Sequence, residues 1–115
     1  MLTGDIHSNW VNDLQVDSYR EDSPVVATEF VGTSITSAGN GGQNVEYAES
    51  VQSDNPFVRF FNGQRGCVSC TVTPQSWQAD YQVVEYVSRP GAPLITQASF
   101  RVEEGQPGAT KQSPG

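Results

Sequence analysis

The chain is poor in positive charge. Its 115 residues carry six Lys and Arg against 13 Asp and Glu, a formal net charge of −7. That balance argues against a nucleic-acid backbone as partner, because phosphate contacts need clustered Lys and Arg. It also disfavours docking on an anionic membrane. Long apolar runs are missing, and none approaches the roughly 20 residues that span a bilayer. The basic, apolar and small-residue regions of a signal peptide are absent, so none is expected. Apolar residues are scarce at 36%, and charged ones make up only 17%. Compact domains usually reach about 45–50% apolar with glycine counted in. One small domain with a thin core is expected, part of it loop or tail.

Histidine is limited to one residue, His7. It lies in Gly4-Asp5-Ile6-His7-Ser8-Asn9-Trp10, behind the apolar lead Met1-Leu2-Thr3. This order predicts a strand end opening into a loop. Asp5 and His7 stand two apart, and an extended segment with period two turns both the same way. A carboxylate and an imidazole converging at a strand end are a common pair of metal ligands. Plainer roles stand beside this one. His7 also suits an ordinary loop, and Asp5 suits a cap on the turn that follows. Two ligands do not complete a metal site.

Cysteine is limited to Cys67 and Cys70. The C-x-x-C spacing invites a zinc or redox assignment. The surrounding Val68, Thr71, Val72 and Thr73 are β-forming, however. On a strand, positions three apart face opposite sides. Cys70 then joins Val68 and Val72 on the apolar face, and Cys67 joins Ser69 and Thr71. A disulfide would need a local turn. Zinc would need further ligands, of which only His7 could add a nitrogen. Two separate thiols are expected, with Cys70 in the core.

Along the chain, residues 11–14 suggest a short helical turn and residues 15–23 an exposed acidic loop. Residues 25–31 follow Pro24, are rich in β-branched side chains and predict a strand. The stretch 32–44 is Ser, Thr, Gly and Asn, with Gly39-Asn40-Gly41-Gly42 at its centre, and predicts a loop. Residues 45–53 predict a short helix with Val45, Ala48 and Val51 on one side, ended by Asn55-Pro56. Residues 57–61 predict a strand, 62–66 a hairpin turn rich in glycine, and 67–73 the returning strand. A longer strand is expected over 77–87, with Trp77, Ala79, Tyr81 and Val83 on one face. A last strand is expected over 95–102, with Ala98, Phe100 and Val102 alternating. The end of the chain, 105–115, has no apolar anchor and is expected as a disordered tail. The fold class is mainly β: an antiparallel meander with one or two short helices. A sheet of this kind needs a cover that the sequence barely supplies, so the chain looks incomplete as a domain.

Three stretches carry a family resemblance. They are Leu2-Thr3-Gly4-Asp5-Ile6-His7-Ser8-Asn9-Trp10, Pro24-Val25-Val26-Ala27-Thr28-Glu29-Phe30-Val31, and Asn55-Pro56-Phe57-Val58-Arg59-Phe60-Phe61-Asn62-Gly63-Gln64-Arg65-Gly66. Val72-Thr73-Pro74-Gln75-Ser76-Trp77 and Asp80-Tyr81-Gln82-Val83-Val84 extend them. Together they resemble the carboxy-terminal end of the alkaline phosphatase D (PhoD-like) family, metal-dependent phosphoesterases of the calcineurin-like superfamily. The resemblance spans 1–104 as an incomplete phosphatase domain. It implies part of an α/β/β/α sandwich, two mixed sheets face to face with helices outside.

The resemblance also implies a metal cluster of iron with calcium, hydrolysis of phosphomonoesters and phosphodiesters, and an exported setting. Asp5 and His7 match the late metal-ligand motif G-D-x-H. The family's upstream motifs, which supply further aspartates and an asparagine, are absent here. Cys67 replaces a more usual aromatic, and the Gly-rich insert around 38–44 departs from the pattern beside the site. No catalytic nucleophile or general acid is assigned. Trp10 is expected to pack, Tyr81 and Tyr86 to belong to the sheet, and Arg59 and Arg65 to be solvated rather than to meet phosphate. The expected function is therefore that of a phosphoesterase fragment, inactive alone and holding little or no metal stably. The alternative is a stand-alone β domain with a structural or binding role, and exposed sheet faces make a homo-oligomer plausible.

Overall fold

The structure, a computed structural model, describes residues 1–17, 19–20 and 22–112. Eight strands and one helix follow in the order β1 Leu2–Thr3, β2 Asn9–Gln15, β3 Val25–Val31, α1 Val45–Asp54, β4 Val58–Asn62, β5 Arg65–Val72, β6 Ser76–Val84, β7 Ile95–Glu103 and β8 Gln106–Gln112. They form two four-stranded sheets. The first is ordered β1-β3-β2-β4 and the second β5-β6-β7-β8. Among the described residues only the β1–β3 pair is parallel. The mainly β fold expected from the sequence is what forms, as two sheets rather than one meander.

Strand alternation builds the core. Along β6, Ala79, Tyr81 and Val83 are fully buried, while Gln78, Asp80 and Gln82 between them are not. Ala98 and Phe100 of β7 and Ala109 of β8 join them. Val11 of β2 and Phe30 of β3, which are register partners, face them from the first sheet. Phe60 sits between the sheets, its ring centroid 5.2 Å from Tyr81 and 5.4 Å from Phe100. Aromatic rings at this spacing attract beyond their buried area. The Tyr81 hydroxyl donates to the Trp10 carbonyl oxygen at 2.7 Å, so a polar bond also crosses the interface. Cys70 packs on this core and Cys67 is exposed, and both thiols are free.

The outer face of the first sheet is partly covered by α1. Tyr47 meets Phe61 edge-on at 5.0 Å, and Trp10 meets the same ring at 4.7 Å. The outer face of the second sheet is polar. There Asp80 accepts from Ser99 at 2.7 Å and from Gln78 at 3.1 Å.

Four expectations change. Residues 11–14 are not helical: they belong to β2, which pairs with β3 on one side and β4 on the other. Two ladders outweigh a weak local preference. Residues 62–66 are not a hairpin turn either. The partner of β4 is β2, with Asn9 opposite Asn62, so β5 starts the other sheet. Gly66 makes that corner passable: its φ is 155°, and a Cβ there would collide with the Gln82 carbonyl. The third change concerns 77–87. β6 stops at Val84, and the Asn40 side chain takes the amides of Val87 and Ser88 at 2.7 and 3.0 Å. The fourth concerns the segment 105–115, expected as a tail. It supplies β8, which turns at Gly105 with φ 75° and pairs with β7. The ladder and one small anchor, Ala109 at 8% exposure, suffice to hold it. Residues 113–115 lie outside the described residues.

Candidate functional site

The segment between β1 and β2 carries Asp5 and His7. It is a bend rather than an extended strand end: Asp5 has φ 77° and His7 φ 59°. Asp and His are among the few non-glycine types that enter this left-handed region with any frequency. The period-two argument for a common direction therefore does not apply. What holds instead is that both sit exposed on one short loop. The turn that Asp5 was expected to cap leads into β2.

The floor beneath this loop is polar and buried. Asn9, the first residue of β2, has no exposed surface. Its amide donates to Asn62 Oδ1 at 3.3 Å and to the Gln64 carbonyl at 3.4 Å. Its Oδ1 accepts from the Thr33 amide at 3.0 Å. Asn62 in turn donates to Gln64 Oε1 at 2.9 Å and accepts from the Gln64 amide at 2.9 Å. Each of these polar groups has a partner, which is the condition for burying them. Trp10 closes the other side, its Nε1 donating to Ser8 Oγ at 2.8 Å.

Arg65 lies in the same layer. It was expected to be solvated, yet it is 5% exposed. Its guanidinium donates to the carbonyls of His7, Ala38 and Gly39 and to the Thr33 hydroxyl. Its donors are thus taken up within the chain. Arg59 stands at the opposite end of β4 and pairs with Asp13 at 3.4 Å. Burial raises the Asp13 carboxyl above its ordinary value, and the Arg59 charge works against that shift. Burial likewise raises the Tyr81 hydroxyl, the charges of Cys70 and Glu29 add to it, and a backbone hydrogen bond from Val31 works against it. Tyr81 stays a neutral donor. Trp10 and Tyr81 pack as expected, whereas Tyr86 lies beyond β6 with the Arg89 guanidinium 4.1 Å from its ring centre.

A hollow of about 370 Å³ opens on the outer face beside the loop, lined by Thr3, Gly4, Ile6, Trp10, Asn12, Glu29 and Val31. Among the described residues no three His, Cys, Asp or Glu side chains cluster closely enough to hold a metal ion. Asp5 and His7 are the right donor types for a hard or borderline cation. Two such donors are too few to hold a metal ion by themselves.

Residues 1–81 match the family of PhoD-like phosphatases. This chain belongs to that family. It is 46% identical over 113 residues to alkaline phosphatase D of Bacillus subtilis (strain 168). That match covers 98% of this chain and 19% of the relative. A solved structure of PhoD superimposes with a TM-score of 0.89 at 44% identity, covering 99% of this chain and 22% of the other. The chain thus spans about a fifth of the length of the PhoD proteins it matches. The two sheets and the short helix described here thus match a part of a PhoD structure.

The buried floor was not singled out from the sequence. Its signal was present in the run Asn62-Gly63-Gln64-Arg65-Gly66, where strongly polar side chains sit between two apolar strands. Polar side chains at a strand junction suit a surface turn and a buried network equally well. Only the pairing of β4 with β2 decides between them.

Proposed function

We propose that this chain is the part of a PhoD-like phosphoesterase that presents one ligand loop of the metal centre. Asp5 would supply a carboxylate oxygen and His7 an imidazole nitrogen. The observation that carries this is local. The side chains of Asp5 and His7 have no hydrogen-bond or ion-pair partner among the described residues, while the His7 carbonyl and the backbone beneath are held by hydrogen bonds with Arg65 and Asn9. Iron and calcium are the metals proposed, iron suited to imidazole and calcium to carboxylate oxygen. When bound, such a centre lowers the pKa of a water and neutralises charge on a phosphate ester. This chain's own share is to fix two donors on a rigid support and to leave the other ligands to the remainder of the enzyme. Alone it is inactive. An exported setting for the complete enzyme belongs to the same proposal.

A segment exchange tests it. This chain replaces the matching stretch of the Bacillus subtilis alkaline phosphatase D, and phosphodiester hydrolysis is assayed with added iron and calcium. The exchange is expected to retain turnover. Asp5→Asn or His7→Ala within it is expected to lower turnover at least about a hundredfold, the scale of a lost metal-site contact. The 115-residue chain by itself is expected to show none. Metal-dependent turnover by the chain alone would sink the claim of inactivity.

A second reading rests on a different observation. The sheets share a core in which Val11, Tyr81, Val83 and Ala98 are fully buried, so the fragment has the means to hold itself together as a non-catalytic β domain. A cooperative unfolding transition of a metal-free monomer favours it. Association into oligomers points instead to the exposed Met1, Leu2 and Ile6 around β1.

A further inference from the structure

Arg65 is a buried cation with no counter-ion among the described residues. The ion pairs among the described residues join Arg20 with Asp22, Arg59 with Asp13 and Arg101 with Glu103. Arg65 takes part in none of them. A charge withdrawn from water is costly unless hydrogen bonds replace its hydration. Here neutral oxygens do so, and they come from three separate segments. The Gly39 carbonyl accepts from Nε at 3.0 Å and the Ala38 carbonyl from a terminal nitrogen at 3.4 Å. The Thr33 hydroxyl accepts from the other terminal nitrogen at 3.0 Å, and that nitrogen also reaches the His7 carbonyl. A planar guanidinium offers these donors in fixed directions, which a lysine ammonium cannot.

The bond to His7 bears directly on the ligand loop. The carbonyl direction fixes ψ at His7, and its φ is already the unusual value of 59°. Held on both sides, the backbone presents the imidazole from one place. The Gly-rich loop is held in the same way. Its Gly42 amide donates to the Gly63 carbonyl at 3.2 Å. Gly41 lies so close that a Cβ there would collide with that carbonyl and come within 3.3 Å of the Arg65 guanidinium carbon.

We infer that Arg65 is a positioning residue, a buried clamp that ties the Asp5–His7 loop to the Gly-rich loop at 38–42 and so sets where the two metal donors stand. This rests on the proposal that Asp5 and His7 are metal ligands. It gives the insert a purpose: the insert supplies two of the carbonyls that allow a charge to be buried under the site.

The test uses the chain itself, labelled with nitrogen-15, without metal and then with Mn²⁺. Backbone order parameters of residues 5–8 are expected near about 0.85 in the parent chain and below about 0.6 in Arg65→Lys, with β6 and β7 unchanged. Unchanged order at residues 5–8 in folded Arg65→Lys overturns the clamp. If that variant does not fold, Gly41→Ala decides, because it displaces the insert from the exposed side. It is expected to loosen residues 5–8 without touching them, and rigid residues 5–8 in that variant overturn the clamp equally.

Mn²⁺ then separates positioning from mere support. It is expected to broaden Asp5 and His7 first in the parent chain and to require about tenfold more metal in Arg65→Lys, the effect of a lost supporting contact. Lost order with an unchanged Mn²⁺ requirement overturns the positioning role. Absence of any preference for Asp5 and His7 in the parent chain overturns the ligand assignment, and with it the purpose given to Arg65. In that event the order parameters still show whether the tie exists.

Discussion

The two sheets are built in opposite ways. The second, β5 to β8, is a run of neighbours: each strand pairs with the next in sequence, through tight turns on either side of a longer β6–β7 connection over 85–94. The first takes two of its three pairings from farther along the chain. Its β2 pairs with the next strand, β3, but Leu2 pairs with Phe30 across β2, and Asn9 pairs with Asn62 across a Gly-rich loop and α1. Local pairing asks little loop-closure entropy, and distant pairing asks more. The Asp5–His7 loop, the buried amides and Arg65 all gather where the first sheet meets the corner into the second.

The largest effect on this division comes from cutting the core that joins the halves. Phe100 is 1% exposed and touches Phe60 and Tyr81. Phe100→Ala is expected to cost about 3–5 kcal/mol in urea unfolding, and to weaken both sheets together. A loss confined to amide protection in β7 and β8 would show that the first sheet stands without the second.

A smaller effect isolates the distant half. Asn9→Ala leaves the Thr33 amide and the Gln64 carbonyl without the partner they have now. About 1–3 kcal/mol is expected, and hydrogen exchange should quicken at the Val11–Phe60 pairing while β6 and β7 keep their protection. Equal loosening of both sheets would argue that the floor supports the whole molecule rather than the loop.

The smallest effect is a pH slope. Burial holds the Asp13 carboxyl above its ordinary value of 3.8. The folded chain therefore binds that proton more tightly than the unfolded one. The stability it contributes is fully present below the unfolded value and is lost as pH rises through the folded one. Asp13→Asn is expected to flatten this fall on the acidic side of neutrality, read from urea midpoints at a series of pH values. An unchanged slope would assign the pH dependence to other carboxylates. The Arg59 pair lost with it is half exposed and adds little.

The same contrast explains what the sequence made legible. Alternation over Ala79, Tyr81 and Val83, and over Ala98 and Phe100, is a local signal, and it located the inner face of the second sheet. The strand at Val25–Val31 and the helix at Val45–Asp54 were legible for the same reason. Pairing partners were not. Nothing local tells Asn62 that its neighbour is Asn9 rather than a residue just downstream, so the corner looked like a hairpin. β8 was missed because its backbone, more than its side chains, holds it in place. Around the loop at 5–8, Asp5 and His7 stood out by type, yet their left-handed backbone did not, because nothing in the residue types alone sets φ.

Gly41 and Gly63 meet backbone to backbone, and a Cβ on either would strike the other's loop. The two positions therefore cannot drift independently. A side chain acquired at one becomes tolerable only after the opposite loop has withdrawn, and a withdrawn loop takes the Arg65 acceptors with it. Relatives that carry a side chain at Gly63 are thus expected to have shortened or rebuilt the insert as well, which makes the pair a marker of whether this corner has been inherited whole.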